Sequence, residues 1–221
     1  MQVFCDFDGT ISVVDTTDRV LAQLASPEWE ALEADWLAGR IDAATCMRGQ
    51  IALIEGSDAE LDAVLAEVEV DPGFPAFAAW CAEHDVPLTI VSDGVDYFIR
   101  RILARHGLQD LPVVSNKLAG KAGARRLAQP YSREGCAAGA GVCKCEAAAH
   151  RTAPSQLTVY VGDGRSDFCV SHRADVLFAK DALADYAKGR GRAHHLFSTF
   201  HEITATLRPL VEERRAAAAA L

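Results

Sequence analysis

The sequence predicts an α/β fold in which helices flank a parallel sheet. Three short apolar runs with β-branched or aromatic residues lead into polar or glycine-rich turns, at residues 3–7, 87–92 and 157–162. Continuous rather than alternating hydrophobicity is typical of strands that are buried on both faces, as parallel strands are. Stretches with helical spacing separate these runs, and such alternation of strands and helices indicates the α/β class.

Weaker patterns predict the remaining elements of the core. Apolar runs at residues 112–115 and 175–179 extend the sheet. Apolar spacing predicts helices at residues 74–81 and 97–106, and the second stops before Gly107, because glycine is common just beyond a helix C-terminus. Residues 116–156 contain five glycines that interrupt any periodicity. They are predicted to form a long loop, a feature that often has a function.

Residues 14–71 depart from the alternation, because four helices are predicted there in succession, at 17–25, 27–38, 43–54 and 58–68. Ser57 and Glu60 have the spacing of a capping box at the start of the fourth helix. Both ends of the segment return to the sheet. We therefore expect residues 14–71 to form a helical cap over the strand ends, on a core made of residues 1–13 and 72–221.

Composition and charge exclude several classes of protein. The 22 basic and 31 acidic residues give a net charge of −9, which disfavours binding to nucleic acid. No apolar run reaches the ~18 to 20 residues of a membrane span, and the N-terminus lacks the basic and apolar regions of a signal peptide. We expect a cytoplasmic protein whose partners include neither nucleic acid nor membrane.

Two aspartates follow the first predicted strand, in the segment Asp6-Phe7-Asp8-Gly9-Thr10. Residues i and i+2 of an extended chain point the same way, and two like charges held together favour a cation or a proton between them. A hard divalent ion such as Mg²⁺ prefers oxygen ligands. Taken alone, the pattern is equally compatible with a solvated turn.

Polar residues also follow the other two strong strands. The segment Gly162-Asp163-Gly164-Arg165-Ser166-Asp167 has carboxylates four residues apart, which meet if a helix begins just after the strand. Ser92-Asp93-Gly94 offers a hydroxyl and backbone amides suited to phosphate oxygens. Ligands of open α/β sheets bind outside the carboxyl ends of the strands, so acid, hydroxyl and metal are predicted to meet there.

In this order, the segments resemble the motifs of the haloacid dehalogenase-like phosphatases. Asp6-Phe7-Asp8-Gly9-Thr10 matches the first motif, Ser92 the second and the segment from Gly162 to Asp167 the fourth, while a lysine supplies the third. The resemblance implies a Rossmann-like core, a helical cap inserted after the first motif, and Mg²⁺-dependent hydrolysis of phosphate monoesters.

The resemblance also implies a role for each motif residue. Asp6 would be the nucleophile that forms an aspartyl-phosphate, and Asp8 the acid/base. Asp6, the backbone carbonyl of Asp8 and Asp163 would hold Mg²⁺, with Asp167 as a direct or a more remote ligand. Ser92, with Asp93 and Gly94 after it, would bind the phosphoryl group. Chemically, a carboxylate can attack phosphorus only when Mg²⁺ and a lysine neutralise the phosphoryl oxygens.

Three lysines are candidates for the third motif, namely Lys117, Lys121 and Lys144. We favour Lys144, which lies 19 residues before Asp163 and opens the helical stretch at residues 146–150. The alternative for the other two is a solvated surface position.

Lys144 lies inside a cysteine-rich segment with Cys136, Cys143 and Cys145. Zinc binding, a redox pair and simple packing all stay open, although the paired spacing of a zinc site is missing. Cysteines around the third-motif lysine, together with Ser26-Pro27-Glu28-Trp29 in the cap, resemble the MtnX-like methionine-salvage phosphatases and the related phosphoethanolamine/phosphocholine phosphatases.

The cap segment bears on the substrate. Phosphoserine phosphatases share this cap type, and the resemblance implies that Asp15 would meet a substrate ammonium. Gln50 stands where those enzymes place an arginine for the substrate carboxylate, and Arg48 lies two residues earlier. With Arg48 and Gln50 in the cleft, a neutral hydroxyl- or keto-bearing ester fits better than an amino acid. The alternative is that Asp15 caps the first cap helix and Arg48 is solvated.

These observations lead to a ranked set of functions. The first is a Mg²⁺-dependent phosphatase, monomeric or homodimeric, that acts on a small phosphorylated metabolite such as an enol or ketone of methionine salvage. The second is a phosphoserine phosphatase or a phosphotransferase. The third is an inactive binding or regulatory protein that keeps the fold, which the complete set of motif residues argues against.

Overall fold

The computed structural model describes residues 1–153 and 156–219. Its strands are Gln2–Cys5 (β1), Leu88–Val95 (β2), Val113–Ala119 (β3), Arg126–Ala128 (β4), Thr158–Gly162 (β5), Val176–Ala179 (β6) and His195–Leu196 (β7). They form one sheet in the order β4-β3-β2-β1-β5-β6-β7. Neighbouring strands are parallel except β3 and β4, which are antiparallel.

Helices connect these strands and cover the sheet. They are Thr16–Leu24 (α1), Trp29–Leu37 (α2), Ala43–Ala52 (α3), Asp58–Ala66 (α4), Phe74–Glu83 (α5), Asp96–Ala104 (α6), Lys144–Ala149 (α7), Phe168–Ser171 (α8), Asp181–Gly189 (α9) and Phe200–Ala219 (α10). A short 3₁₀ turn at Arg165–Asp167 precedes α8. Among the helices of the described residues, none combines the length and the apolar character that crossing a bilayer requires.

The three strong apolar runs form the central strands β2, β1 and β5, which confirms the α/β prediction. Successive side chains of each strand belong to different hydrophobic clusters on the two faces of the sheet. In β1, Val3 and Cys5 lie in one cluster and Phe4 in the other. Because both faces are covered, adjacent positions in the middle of each central strand are apolar, which is why the sequence shows continuous rather than alternating hydrophobicity.

The four helices of the predicted cap are present, with ends within two residues of the predicted ones. Side chains cap three of them. Asp15 accepts a hydrogen bond from the backbone N–H of Asp18 at the start of α1, and Asp42 caps α3 in the same way. Ser57 and Glu60 form the predicted capping box of α4.

The two chain crossings between the core and residues 14–71 lie side by side. Ser12 and Val70 form an isolated antiparallel bridge, and the backbone N–H of Asp71 donates to the carbonyl of Ile11 at 2.8 Å. This paired connection supports the proposed division into core and cap.

Residues 116–156 contain more regular structure than the sequence predicts. β3 continues to Ala119, and the chain then turns back into the three-residue strand β4. Arg125, only 2% exposed, donates to Asp58 Oδ1 at 2.7 Å and so ties this hairpin to the cap. A three-residue edge strand leaves too short a pattern to be read in the sequence, which explains the difference.

Candidate active site

Three neighbouring strands bring the motif residues together at one edge of the sheet. Cys5 of β1 is in register with Ile90 of β2 and with Val161 of β5. The residues that follow each strand position are therefore adjacent in space. Asp6, Ser92 and Asp163 meet there, at the carboxyl ends where ligands of parallel sheets bind.

Lys144 reaches this point from the start of α7. It is 1% exposed, and its Nζ lies 2.6 Å from Asp6 Oδ2 and 2.7 Å from Asp167 Oδ1. Burial by itself would lower the pKa of Lys144, but the charges of Asp167 and Asp6 outweigh it and raise the pKa above its usual value. The ammonium is therefore a fixed positive charge beside Asp6 at physiological pH.

The other two lysine candidates lie elsewhere. Lys117 is on β3, where its Nζ is 3.4 Å from a carboxylate oxygen of Asp96 at the surface. Lys121 is exposed on the turn after β3. Of the three candidates, the structure brings only Lys144 to the motif aspartates.

Three carboxylates at this point fit a divalent cation. Asp6, Asp163 and Asp167 each offer an oxygen within 4.8 Å of the other two. Burial, with the charge of Asp167, raises the pKa of Asp6 well above its usual value despite Lys144. Burial likewise raises the pKa of Asp163 to about 6, opposed by a hydrogen bond from Thr10. Buried oxygen donors with excess negative charge are suited to a hard ion such as Mg²⁺.

Asp167 is the most heavily hydrogen-bonded of the three. Its Oδ1 accepts from Lys144 Nζ and, at 2.5 Å, from the hydroxyl of Tyr160, while its Oδ2 accepts from the backbone N–H groups of Asp163 and Gly164 at 3.1 Å each. Since both oxygens already have partners, Asp167 is better placed to orient Lys144 and Asp163 than to serve as a free ligand.

Tyr160 was not among the sequence-predicted site residues. It lies within the apolar run of β5 and is fully buried. A buried tyrosine hydroxyl needs a hydrogen-bond partner, so a tyrosine two residues before the fourth motif is the signal that could have identified it.

Thr10 and Gly9 shape the approach to Asp163. The hydroxyl of Thr10 donates to Asp163 Oδ1 at 2.5 Å. Gly9 has a φ of +70°, and a Cβ at this position would lie 2.5 Å from Asp163 Oδ2. The tight turn after β1 therefore needs glycine both for its backbone conformation and for the close approach of Asp163.

Asp8 faces the first helix of the cap. Its Oδ1 accepts hydrogen bonds from the backbone N–H of Thr16, at 2.9 Å, and from the Thr16 hydroxyl, while the Ser92 hydroxyl lies 3.4 Å from Oδ2. Burial, with the charge of Asp15, raises the pKa of Asp8 to about 7, although the bonds from Thr16 oppose this shift. Sequence reasoning missed Thr16, which carries no motif of its own.

The residues near the C-terminal end of β2 divide into two roles. Ser92 Oγ accepts from the backbone N–H of Gly94 at 2.9 Å, and both residues line the cleft. The carboxylate of Asp93 accepts instead from the backbone N–H of Val142 at 2.9 Å and from Asn116 at 3.2 Å. Asp93 therefore holds the chain just before Lys144; it also lines the cleft, and its predicted role in substrate binding stays a prediction.

The two predicted cap residues also differ in their surroundings. Asp15 lines the cleft and at the same time caps α1. Arg48 is exposed on α3 and donates to Gln129 and, at 2.9 Å, to Thr45 Oγ1. The structure does not bring Arg48 to the cleft, because its position on α3 faces the hairpin side rather than the strand ends.

A cleft of about 880 Å³ lies between the helices of residues 14–71, the proposed cap, and the strand ends, and it opens onto Asp6, Asp8 and Ser92. On the cap side it is lined among others by Glu33, Trp36, Met47 and Gln50. Gln50 is buried, and its side-chain amide donates to Glu33 Oε2 at 2.9 Å. Among the described residues that line the cleft, none from the cap is a lysine or an arginine.

The cysteine-rich segment lies beside the site. Within residues 1–153 and 156–219, the carboxylates of Asp6, Asp163 and Asp167 are the only set of three or more metal-ligating side chains that lie mutually close. The zinc interpretation of Cys136, Cys143 and Cys145 is therefore not supported.

Comparisons with known proteins identify a family and a fold. A family model described as haloacid dehalogenase-like hydrolase matches residues 3–172. A 2-hydroxy-3-keto-5-methylthiopentenyl-1-phosphate phosphatase of Brevibacillus brevis is 30% identical, over 96% of this chain and 97% of its own. A protein of the same name from Geobacillus thermodenitrificans is 32% identical, over 95% and 96% of the two chains.

Among solved structures, a phosphoserine phosphatase captured as a phospho-aspartyl intermediate analogue matches with a TM-score of 0.67. The match covers 93% of this chain and 97% of that one, at 18% identity. At this identity the similarity establishes the fold and carries no information on the substrate.

Proposed function

This chain belongs to the haloacid dehalogenase-like hydrolases, and from that premise we propose that it hydrolyses a small phosphate monoester through an aspartyl-phosphate on Asp6. The observation that carries the proposal is the convergence of Asp6, Ser92, Lys144 and Asp163 at one point of the sheet, with Lys144 Nζ 2.6 Å from Asp6. A merely structural ion pair would not require a hydroxyl and two further carboxylates at the mouth of a cleft.

Asp6, Asp163 and the backbone carbonyl of Asp8 would hold Mg²⁺, with Asp167 in support. When bound, the ion neutralises charge on the phosphoryl oxygens. Lys144 and the Ser92 hydroxyl bind the same oxygens from the protein side, since Lys144 lies beside Asp6 and Ser92 beside Asp8. This neutralisation allows the negatively charged Asp6 to approach phosphorus.

Catalysis then needs one acid/base group for two steps. In the first, a bond forms between Asp6 and phosphorus, the ester P–O bond breaks, and Asp8 gives its proton to the departing alcohol. In the second, Asp8 takes a proton from water as the water oxygen bonds to phosphorus and the Asp6–phosphorus bond breaks. A pKa of about 7 suits Asp8 to both steps, because both of its protonation states are populated near neutral pH.

For the substrate, we propose the compound that the relatives' name gives, 2-hydroxy-3-keto-5-methylthiopentenyl-1-phosphate, which would place the protein in methionine salvage. Gln50 offers a neutral polar group for a hydroxyl or keto oxygen, and Trp36 and Met47 offer apolar surface for a methylthio tail. Phosphoserine is disfavoured, since its carboxylate would face Glu33 without a cap cation. The cytoplasmic location and the monomeric or homodimeric state stay predictions.

The test of the reaction is phosphate release from p-nitrophenyl phosphate. We expect turnover with Mg²⁺, its loss with EDTA and its loss in Asp6→Asn. An inactive binding protein would release no phosphate under any of these conditions. A screen over metabolite esters then tests the substrate, and faster turnover of phosphoserine than of the keto ester would contradict our choice.

A further inference from the structure

Two cysteines that are distant in the sequence touch beside the site. Cys145 on α7 and Cys169 on α8 are 24 residues apart, and their Sγ atoms lie 3.1 Å from each other. Both are free thiols, like every other cysteine of the chain. Sequence spacing pointed to Cys136 and Cys143 as the neighbours of Cys145, whereas the structure gives Cys145 a partner from the fourth-motif helix.

This thiol pair is attached directly to the proposed catalytic groups. Cys145 follows Lys144, and Cys169 lies two residues after Asp167. The side chains of Lys144 and Asp167 are themselves joined at 2.7 Å. The two chain segments are thus held together twice, once by the ion pair and once by the contact between the two sulfurs.

The two thiols differ in access. Cys145 is 7% exposed. Cys169 is half-buried and lines the cleft between cap and core. A small oxidant that enters the cleft therefore meets Cys169 first, with Cys145 behind it.

We propose that Cys145 and Cys169 form a peroxide-sensitive thiol pair whose disulfide lowers the turnover of the enzyme. A hydroperoxide would oxidise Cys169 to a sulfenic acid and leave as an alcohol, or as water when the oxidant is hydrogen peroxide. The Cys145 sulfur would then bond to the Cys169 sulfur and release water. Two thiols are oxidised and one peroxide bond is reduced.

The effect on turnover follows from geometry and rests on the proposed function. A disulfide bond is about 2.05 Å long, so the two sulfurs must approach each other by roughly 1 Å. Lys144 is bonded to Cys145 through the backbone, and its Nζ is held by Asp6 and Asp167 within hydrogen-bond distance. A displacement of about 1 Å at a positioning group can cost up to ~10²-fold in rate.

The experiment treats the full-length, Mg²⁺-loaded enzyme with hydrogen peroxide, followed by alkylation and peptide mass spectrometry. We expect a Cys145–Cys169 linked peptide, a loss of two hydrogens from the intact mass, and a fall in turnover of about tenfold or more that dithiothreitol reverses. The disulfide is detected in the unmutated protein by mass spectrometry alone. Its detection therefore does not depend on activity or on any variant folding.

Variants separate this pair from the other cysteines. Cys145→Ala and Cys169→Ala should each be as active after peroxide treatment as before it. The control Cys136→Ala should lose activity on treatment, as the unmutated enzyme does. A disulfide mapped to another cysteine, or none at all, would overturn the pair, and a fully active oxidised enzyme would overturn its effect on turnover. If the reduced enzyme releases no phosphate, the proposed function is wrong. The mass measurement still decides independently whether the disulfide forms.

Discussion

At the scale of single residues, the site depends on one buried cation among three carboxylates. Lys144 is in contact with Asp6 and Asp167, and Asp163 lies close to both aspartates. Burial makes each uncompensated charge costly, so the side chains are held by dense hydrogen bonding rather than by solvent. Small changes at these positions should therefore have large and specific effects.

Lys144→Ala tests the third-motif assignment. Removing the cation that would neutralise the phosphoryl group should lower kcat by about 10² to 10³, the usual cost of losing one such charge-stabilising donor. Lys117→Ala and Lys121→Ala are the controls, because both side chains lie at the surface. Phosphate-release kinetics check the outcome, with circular dichroism to verify folding. Loss of activity in either control, with Lys144→Ala active, would refute the assignment.

Thr16→Val tests the role of Asp8 through pH. Asp8 must carry a proton to act as the acid, so kcat/KM should fall about tenfold per pH unit above its pKa of about 7. The Thr16 hydroxyl stabilises the charged carboxylate. Its removal raises the pKa of Asp8 and should move the alkaline limb of the pH profile to higher pH.

Thr17→Val is the matched control for this shift. The Thr17 hydroxyl is buried and makes no hydrogen bond within the described part of the chain. Its removal should leave the position of the alkaline limb unchanged. A limb that stays in place in Thr16→Val, or moves to lower pH, would show that Asp8 does not control it.

At the scale of elements, the site is built where strand ends meet the starts of helices. The N-terminus of α1 donates to Asp8, and α7 begins with Lys144. The motifs do not fix how far along the chain Thr16 of α1 lies from its partner Asp8, or Lys144 of α7 from its partners Asp6 and Asp167. Their placement depends on contacts between elements, of which Asp93 with Val142 is the clearest.

Asp93→Ala tests whether this contact positions Lys144. The variant leaves the backbone N–H of Val142 without its acceptor and removes one of the acceptors of the Asn116 amide, which keeps the backbone carbonyl of residue 93, so we expect a loss of roughly 1 to 3 kcal/mol in the free energy of unfolding. Turnover should fall as well, with KM little changed, because Lys144 is displaced.

Asp96→Ala is the matched control for Asp93→Ala. Asp96 lies on α6, accepts from the backbone N–H of Leu118 at 2.9 Å and does not line the cleft. It should also lower stability, yet retain kcat. Urea denaturation and steady-state kinetics measure the two effects, and equal losses of kcat in both variants would argue against a positioning role for Asp93.

At the scale of the whole molecule, the proposed cap and the proposed core line opposite sides of one cleft and differ in the side chains that they offer. The proposed core supplies the charged groups that would bind phosphate, and the proposed cap supplies Gln50, Trp36 and Met47 together with acidic side chains. The phosphate end and the variable end of a substrate therefore meet different parts of the chain. Selectivity should change when the cap is altered without any change in the chemistry at Asp6.

Glu33→Gln tests this separation. Loss of the negative charge removes repulsion toward a substrate carboxylate, so the ratio of kcat/KM for phosphoserine to that for a neutral keto ester should rise about tenfold, or ~1.4 kcal/mol. Asp35→Asn, on the same helix but paired with Arg40 outside the cleft, should leave the ratio unchanged. An unaltered ratio in Glu33→Gln would remove Glu33 from the selection of substrate.

Much of this arrangement could be predicted from local patterns. The central strands are visible as continuous apolar runs because both of their faces are covered, and α4 is visible because Ser57 and Glu60 form its capping box. Asp6 and Asp163 are predictable because each directly follows a strand, and Ser92 because it lies near the C-terminal end of β2; parallel strands end on one side of a sheet. The strand β4 and the start of α7 were less accessible, since neither has a pattern long enough to define it.

The sequence by itself determined the fold class, the cap helices and the order of the acidic motifs, because each depends on residues that are close together along the chain. Only the tertiary structure decided that Lys144 lies beside Asp6, that Tyr160 and Thr16 hold the site carboxylates, that Arg48 points away from the cleft, and that Cys169 is the neighbour of Cys145. These contacts join segments that are distant along the chain, and no periodic pattern in the sequence relates one segment to the other. Their geometry is set by packing between elements, which spacing along one chain does not encode.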